Sequence, residues 1–439
     1  MNVESKTTAL NRLSATEAAR LLARRELSAE QLLRACFARI EQREDAVRAW
    51  VTVDKDQAMA RARELDRGAT QGVLHGLPIG VKDIFATSDL PTSYGSSIYH
   101  NYQPAMDAAA VALCREAGAV VAGKTVTTEF ASYQPGPTRN PHNQAYTPGG
   151  SSSGSAAAVA DHMVPFALGT QTAGSIIRPA AYCGVVGYKP TFGRIQRAGL
   201  KTIVDSFDTI GGFARSIDDA ALFASVLMQD SSLRELDYDT KPRIGMYRTM
   251  QWRHTEQATR DAYAHAASQL SRAGARVEEV ELPTELCALV QAHADIMSVE
   301  MAQSLTYERT RHYGQLSAPL QALIEAGLQI SAQEHQTNLA RFASGRLRAQ
   351  EWFERYDVLL APSASGEAPF FDQGTGDPLF CRVWTAFGAP CVHLPFYTGP
   401  QDLPVGLQVV GHRHDDRRAL AIARWMMQVL CPDGVVGAP

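Results

Sequence analysis

The stretch GGSSSGSAAAVADHMVPFALGTQTAGSIIRPAAYCGVVGYKPT (149–191) decides how this chain is read. Glycines and hydroxyls at 149–155 run straight into the helix-forming AAAVA, VPFALGT (164–170) follows as an apolar strand candidate, and GTQTAGS (169–175) opens a second glycine-hydroxyl turn. Upstream, GPTRNPHNQAYTPGGSSSGS (136–155) is nearly all turn-forming, and a long loop of that kind is often functional. Working outward, LPIGVKDIF (77–85), a helical pattern from Asp107 to Ala117 and AVVAGK (119–124) continue the alternation of short apolar runs with helices. That alternation predicts a sheet covered by helices.

The composition bounds the function. The chain has 439 residues, 45% of them hydrophobic, and 42 Lys+Arg against 46 Asp+Glu, a formal charge of −4. It reads as a soluble globular protein whose charge offers no field for nucleic acid or an anionic membrane. Seven scattered cysteines without a Cys-x-x-Cys pair argue against a disulfide framework or a zinc ribbon and suggest a reducing compartment. The N-terminus MNVESKTTALNRLSATEAAR has no apolar run after its charges, and no stretch has the roughly 18 apolar residues of a membrane span. A cytoplasmic location is expected.

Residues 9–64 are helical in pattern, with Ser14 and Ser28 as N-caps. PRIGMYR (242–248) reads as a strand, and 255–350 as mostly helical, an inserted cap. YDVLLAPSA (356–364) and PVGLQVVG (404–411) return to the sheet. The expected division is N-terminal helices at 1–65, a catalytic core at 66–240, a mostly helical cap at 241–350, and the C-terminal part of the same core at 351–439.

Three motifs carry a weaker reading than their letters suggest. GAVVAGKT (118–125) fits the phosphate-loop pattern, but a helix precedes it and AVVA is itself a strand candidate. GSSSG (150–154) matches the nucleophile elbow around Ser152 but follows Pro148 and two glycines where an apolar strand is required. GHRHDD (411–416) holds His412 and His414 without a third partner, so no metal is assigned.

The strongest constellation has three parts. Lys82 sits in a run so apolar that desolvation should lower its pKa and make it a base near neutral pH, although a lysine paired with Asp83 is the bland alternative. Ser151 lies at the mouth of one helix, and Ser175, 24 residues later, at the mouth of another. Small Ala173 and Gly174 leave room for a carbonyl to approach N–H groups that converge on developing negative charge. The set reads as a nucleophile, a relay and a base.

Lys82 in its strand, GGSSSGSAAAVA and GTQTAGSIIRPAAYCGVVGYKPT together resemble the amidase signature family, serine hydrolases that cleave carbon-nitrogen bonds with Ser, Ser and Lys. The resemblance extends over most of the chain, including GPTRNPHN and PVGLQVVG. It implies an α/β fold with a large mixed, mostly parallel twisted sheet sandwiched between helices, and a helical cap. It implies Ser175 as nucleophile, Ser151 as bridging hydroxyl after a cis Gly150–Ser151 bond, Lys82 as base, and the N–H groups of Thr172, Ala173, Gly174 and Ser175 as oxyanion hole. No cofactor is implied. Ala173-Gly174 before the serine, and Arg178 three residues after it, resemble the subgroup containing malonamidase. There the arginine can bind a substrate carboxylate; a brace for the loop is the alternative for Arg178.

Gly150, Tyr133 and Trp384 are further candidate substrate contacts, the two aromatic residues as pocket lining. The expected reaction is hydrolysis of a linear carboxylic amide, or of a carbamate (urethane) or ester, through a Ser175 acyl-enzyme. The expected partner is that small molecule, with no nucleic acid and no membrane, in a monomer or homodimer. The alternatives are an amide-cleaving, amidotransferase-like component of a transamidation complex, and a nucleotide-binding protein using Lys124.

Overall fold

The computed structural model describes residues 10–238, 240–249, 251–281 and 286–432. Residues 1–9 of the expected N-terminal segment, the Cys287 side chain and 433–439 lie outside the described residues. Eleven described strands form one sheet: β1 (Trp50–Val53), β2 (Pro78–Lys82), β3 (Val120–Thr125), β4 (Phe166–Gln171), β5 (Val186–Lys189), β6 (Thr209–Ala214), β7 (Arg243–Tyr247), β8 (Arg276–Val280), β9 (Val358–Pro362), β10 (Cys391–Thr398) and β11 (Pro404–Gly411). Their spatial order is β1-β3-β2-β4-β6-β5-β10-β11-β9-β7-β8.

Strands β2 to β6, β9 and β11 are buried along their whole length, as strands covered on both faces are, and Lys82, Lys124 and Lys189 are buried with them. Parallel pairing is confined to β3-β2-β4 and β9-β7-β8; the other neighbours are antiparallel, so the sheet is mixed.

The helices are α1 (Ala15–Ala23), α2 (Ala29–Val47), α3 (Lys55–Arg67), α4 (Ala109–Glu116), α5 (Ser153–Ala160), α6 (Ile177–Cys183), α7 (Ile217–Leu227), α8 (Gln257–Arg272), α9 (Leu286–Ser304), α10 (Thr306–Arg311), α11 (Ala318–Gln329), α12 (Ala332–Arg355), α13 (Arg382–Ala386) and α14 (Asp416–Leu430). Ser14 caps α1 and Ser28 closes a capping box with Gln31 on α2, each satisfying N–H groups that the first turn leaves free. Helices α5 and α6 pack on each other and on the central strands, while α14 packs with α7 and α8 on β10 and β11. One hydrophobic core runs from Ala15 to Leu430.

The segment 241–350 departs from the expected cap at its start. Strands β7 and β8 extend the sheet beside β9, so the helical excursion is α9 to α12. Strand β8, RVEEV, escapes a hydrophobic reading because it lies at the sheet edge, half-buried to exposed, and carries three charges.

Candidate active site

Strand β2 delivers Lys82 into the centre of the molecule, between β3 and β4. The side chain is 0% exposed, and its Nζ donates to Ser151 Oγ at 2.8 Å and to Thr170 Oγ1 at 2.7 Å. Two neutral hydroxyls do not compensate a buried cation, so burial pulls the ammonium pKa down to about 7, with the Asp208 carboxylate opposing the shift. A lysine at that value is partly free base at neutral pH.

Ser151 follows a cis Gly150–Ser151 bond and is 2% exposed. Its carbonyl accepts the Thr128 N–H at 3.2 Å, and α5 begins two residues later. Gly154 lets that first turn lie against backbone: a Cβ there would stand 2.2 Å from the Ala49 carbonyl oxygen and 2.4 Å from the Val126 nitrogen.

Ser175 lies at the turn into α6, and its hydroxyl makes no hydrogen bond to any described residue. It faces a small cavity of about 20 Å³ whose lining includes Phe130, Tyr133, Ile203, Met297 and Met301. The Lys82–Ser151 link is therefore formed, while the Ser151–Ser175 hydrogen bond is open in this structure. Catalytic hydrogen bonds commonly close only when substrate is bound.

The loop before Ser175 is braced from several sides. Gln171 Oε1 accepts the N–H groups of Ile176 (2.8 Å) and Ile177 (2.9 Å), and its Nε2 donates to Thr385 Oγ1 at 2.9 Å. The Thr385 hydroxyl donates to the Ala173 carbonyl at 2.7 Å. Thr172 Oγ1 donates to Asp208, which also accepts the N–H groups of Ile203 and Val204. His293 Nε2 meets the Thr172 carbonyl at 2.9 Å; burial holds this imidazole down to a pKa of about 3, so it is neutral and donates there. With these carbonyls occupied, the N–H groups of Ala173, Gly174 and Ser175 have no acceptor among the described residues. Gly174 must be small, since a Cβ would meet Pro378 Cβ at 2.8 Å.

The sequence-predicted residues divide. Lys82, Ser151, Ser175, the 172–175 loop, Gly150 and Tyr133 come together. Arg178 is 3% exposed and donates to the Gly376 carbonyl at 2.8 Å, the Gly150 carbonyl at 2.7 Å and Thr375 Oγ1 at 3.3 Å, so its guanidinium ties the two serine loops together. Trp384 is corrected: it is 2% exposed and packs edge-on against Tyr247 and Phe387, outside the cavity at Ser175.

The competing motifs dissolve as well. Lys124 is buried in an ion pair with Asp83 at 3.1 Å and donates to the Phe85 carbonyl and Thr92 Oγ1, so its ammonium is not presented to a phosphate. Ser152 is buried against the Thr170 backbone. Among the described residues no cluster of three or more His, Cys, Asp or Glu could hold a metal. The sequence reading missed Thr170, Gln171, Asp208, His293 and Thr385. Gln171, a polar residue closing a buried strand inside the deciding stretch, carried a signal; the others act across long sequence separations that one sequence does not display.

The chain is similar to known proteins over most of its length. The family model described as Amidase matches residues 31–420. A glutamyl-tRNA(Gln) amidotransferase subunit of Geobacillus thermodenitrificans is 32% identical over 92% of this chain and 94% of its own length. The corresponding protein of Halalkalibacterium halodurans, which bears the same name, is 33% identical over 91% and 93%. Among solved structures, one described as an amidase superposes with a TM-score of 0.88 at 30% identity, covering 95% of this chain and all of its own. The peptide amidase of Stenotrophomonas maltophilia superposes with a TM-score of 0.81 at 27% identity, covering 95% and 96%. With the family model matched over residues 31–420 and the fold shared over nearly the whole chain, the chain belongs to the amidase signature family.

Proposed function

We propose that this enzyme hydrolyses the C–N bond of a small linear carboxylic amide through an acyl-enzyme on Ser175. The observation that carries the reading is the desolvated Lys82 amine hydrogen-bonded to Ser151, in a loop that Arg178 ties to the one bearing Ser175, which lines a small cavity. Neutral Lys82 takes the Ser151 proton as Ser151 takes the proton of Ser175, whose Oγ attacks the carbonyl carbon. The oxyanion forms against the N–H groups of Ala173, Gly174 and Ser175, with Thr172 at the loop's start, and these donors are already oriented by Gln171, Asp208, His293 and Thr385. The relay then runs backward, protonating the leaving nitrogen so that ammonia or an amine departs. Water, deprotonated by the same relay, hydrolyses the ester.

The cavity favours an uncharged acyl group. Both terminal nitrogens of Arg178 are committed to the loops and its Nε is buried without an acceptor among the described residues, while Phe130, Ile203, Met297, Met301 and Pro378 make most of the remaining wall apolar beside the hydroxyls of Ser132, Tyr133 and Thr172. At about 20 Å³ the space admits substrate only when side chains yield, and the flexible thioethers of Met297 and Met301 are suited to that. A carbamate or ester offers the same acyl carbon and belongs in the same assay. The deciding experiment is a screen of short aliphatic amides, aryl anilides, dicarboxylic monoamides and carbamates with purified protein. Turnover of neutral amides above the monoamides of diacids is expected; absence of any C–N cleavage would overturn the reading.

A second reading, an amide-cleaving component of a transamidation complex, is favoured by the names of relatives that are 31–33% identical to this chain over 91–96% of its length. Co-purification of stoichiometric partner proteins from the native source, with glutamine hydrolysis dependent on them, would establish it in place of the first.

A further inference from the structure

We propose that the cavity between α12 and α13 is a binding site, separate from the Ser175 pocket, for a small amphipathic carboxylate: an acid group on an aryl or alkyl body.

The cavity measures about 340 Å³, within the range of small-molecule sites. Its apolar wall is built from Leu347, Ala349 and Phe353 of α12 and from Trp384 and Phe387. Two arginines, Arg346 and Arg413, line the same space, with His412 beside Phe353. Neither arginine has a carboxylate within ion-pair distance among the described residues. Arg346 Nε is held by the Ala386 carbonyl at 2.8 Å, and Arg413 Nε is buried without an acceptor. Burial and the neighbouring Arg413 charge hold the Arg346 guanidinium below its ordinary pKa.

Two cations sharing an apolar cavity without an anion are an unbalanced arrangement, because an unpaired buried donor forfeits its hydration. A carboxylate corrects it with the fork geometry a guanidinium prefers, and the aromatic walls take the apolar body. Inorganic phosphate offers the charge but leaves those walls uncovered. The helix α13 separates the two sites: Trp384 faces this cavity, while its neighbour Thr385 supports the Ala173 carbonyl. The inference does not depend on the hydrolytic reading, and its test requires no turnover.

The test is titration calorimetry of the full chain with phenylacetate, 2-phenylethanol and inorganic phosphate. Saturable binding of phenylacetate is expected, with the alcohol and phosphate each weaker by at least about tenfold, the scale of one charge-assisted contact. Arg413→Gln removes the charge, and Ala343→Trp, from an exposed position of α12 at the cavity rim, fills the space; each is expected to weaken phenylacetate by at least about tenfold. The proposal is overturned by absence of saturable phenylacetate binding, by equal binding of the alcohol or phosphate, or by unchanged binding in Ala343→Trp. The last result would place the acid elsewhere, the Ser175 pocket included, even if Arg413→Gln failed to fold.

Discussion

The proton relay begins at one lysine whose environment does the work of a stronger base. Because Lys82 must be neutral to accept the Ser151 proton, and burial sets its pKa to about 7, kcat/KM is expected to rise with pH through that value and level off above it. A profile flat from about pH 5 to about pH 9 would remove Lys82 from the role of base. Lys82→Arg keeps a cation in place but cannot release its proton near neutrality, so it should be as inactive as Lys82→Ala. Ser175→Ala is expected to lower turnover by at least about 10³-fold while the circular dichroism spectrum and unfolding midpoint stay close to wild type, since no described residue hydrogen-bonds to the hydroxyl it removes. Wild-type rates in that variant would dismiss the nucleophile. At this scale the sequence was legible wherever chemistry and local context coincide, as with Lys82 in an apolar run and hydroxyls beside glycines. It was misleading at Trp384, proposed as lining of the substrate pocket, which lies outside the cavity at Ser175 and faces the one between α12 and α13, because composition does not say which side of a short helix faces which cavity.

Among the elements, α13 has an influence out of proportion to its five residues. Thr385 holds the Ala173 carbonyl and receives Gln171 Nε2, so it fixes the loop on which the oxyanion forms. Thr385→Val preserves shape and leaves both partners buried without their bonds. The expected result is a fall in kcat of about 10- to 100-fold with KM changed little, because the loss falls on transition-state donors and not on substrate contacts. An unchanged kcat would show that the loop holds its geometry without α13. Strands β2, β4, β9 and β11 were legible as apolar runs bounded by turn residues, and α1 and α2 by their serine caps. Strands β6 (TIGGFA) and β8 (RVEEV) carry two glycines and three charges respectively, so neither announces itself by hydrophobicity; each exists because neighbouring strands offer it hydrogen bonds. Parallel against antiparallel pairing likewise depends on where each connection crosses, which no local pattern records.

For the whole molecule, the question is how the N-terminal helices are fastened to the sheet that carries the site. Asp161, at the end of α5, is fully buried and pairs with both Arg39 and Arg43 of α2; the Arg43 contact is 2.8 Å. Arg39 Nε also donates to the Asp161 carbonyl at 2.9 Å, and Arg43 reaches the Pro141 carbonyl at 3.0 Å. The helix whose first turn follows Ser151 is thus anchored at its far end by charge. Asp161→Asn keeps the shape and removes the negative charge from between two partly exposed guanidinium groups, so it is expected to destabilise the chain by about 3 kcal/mol in urea unfolding, the lower end for a broken buried pair. Arg43→Gln leaves Asp161 its Arg39 partner and should cost about 1 kcal/mol. Amide hydrogen exchange locates the effect: in Asp161→Asn the protection of α1 and α2 should fall before that of β4 and β6, because the fastening lies between those layers. Equal stability of Asp161→Asn and the wild type, with exchange unchanged in α2, would mean that the apolar contacts of Leu32, Leu33, Cys36 and Phe37 hold α2 in place without the ion pairs.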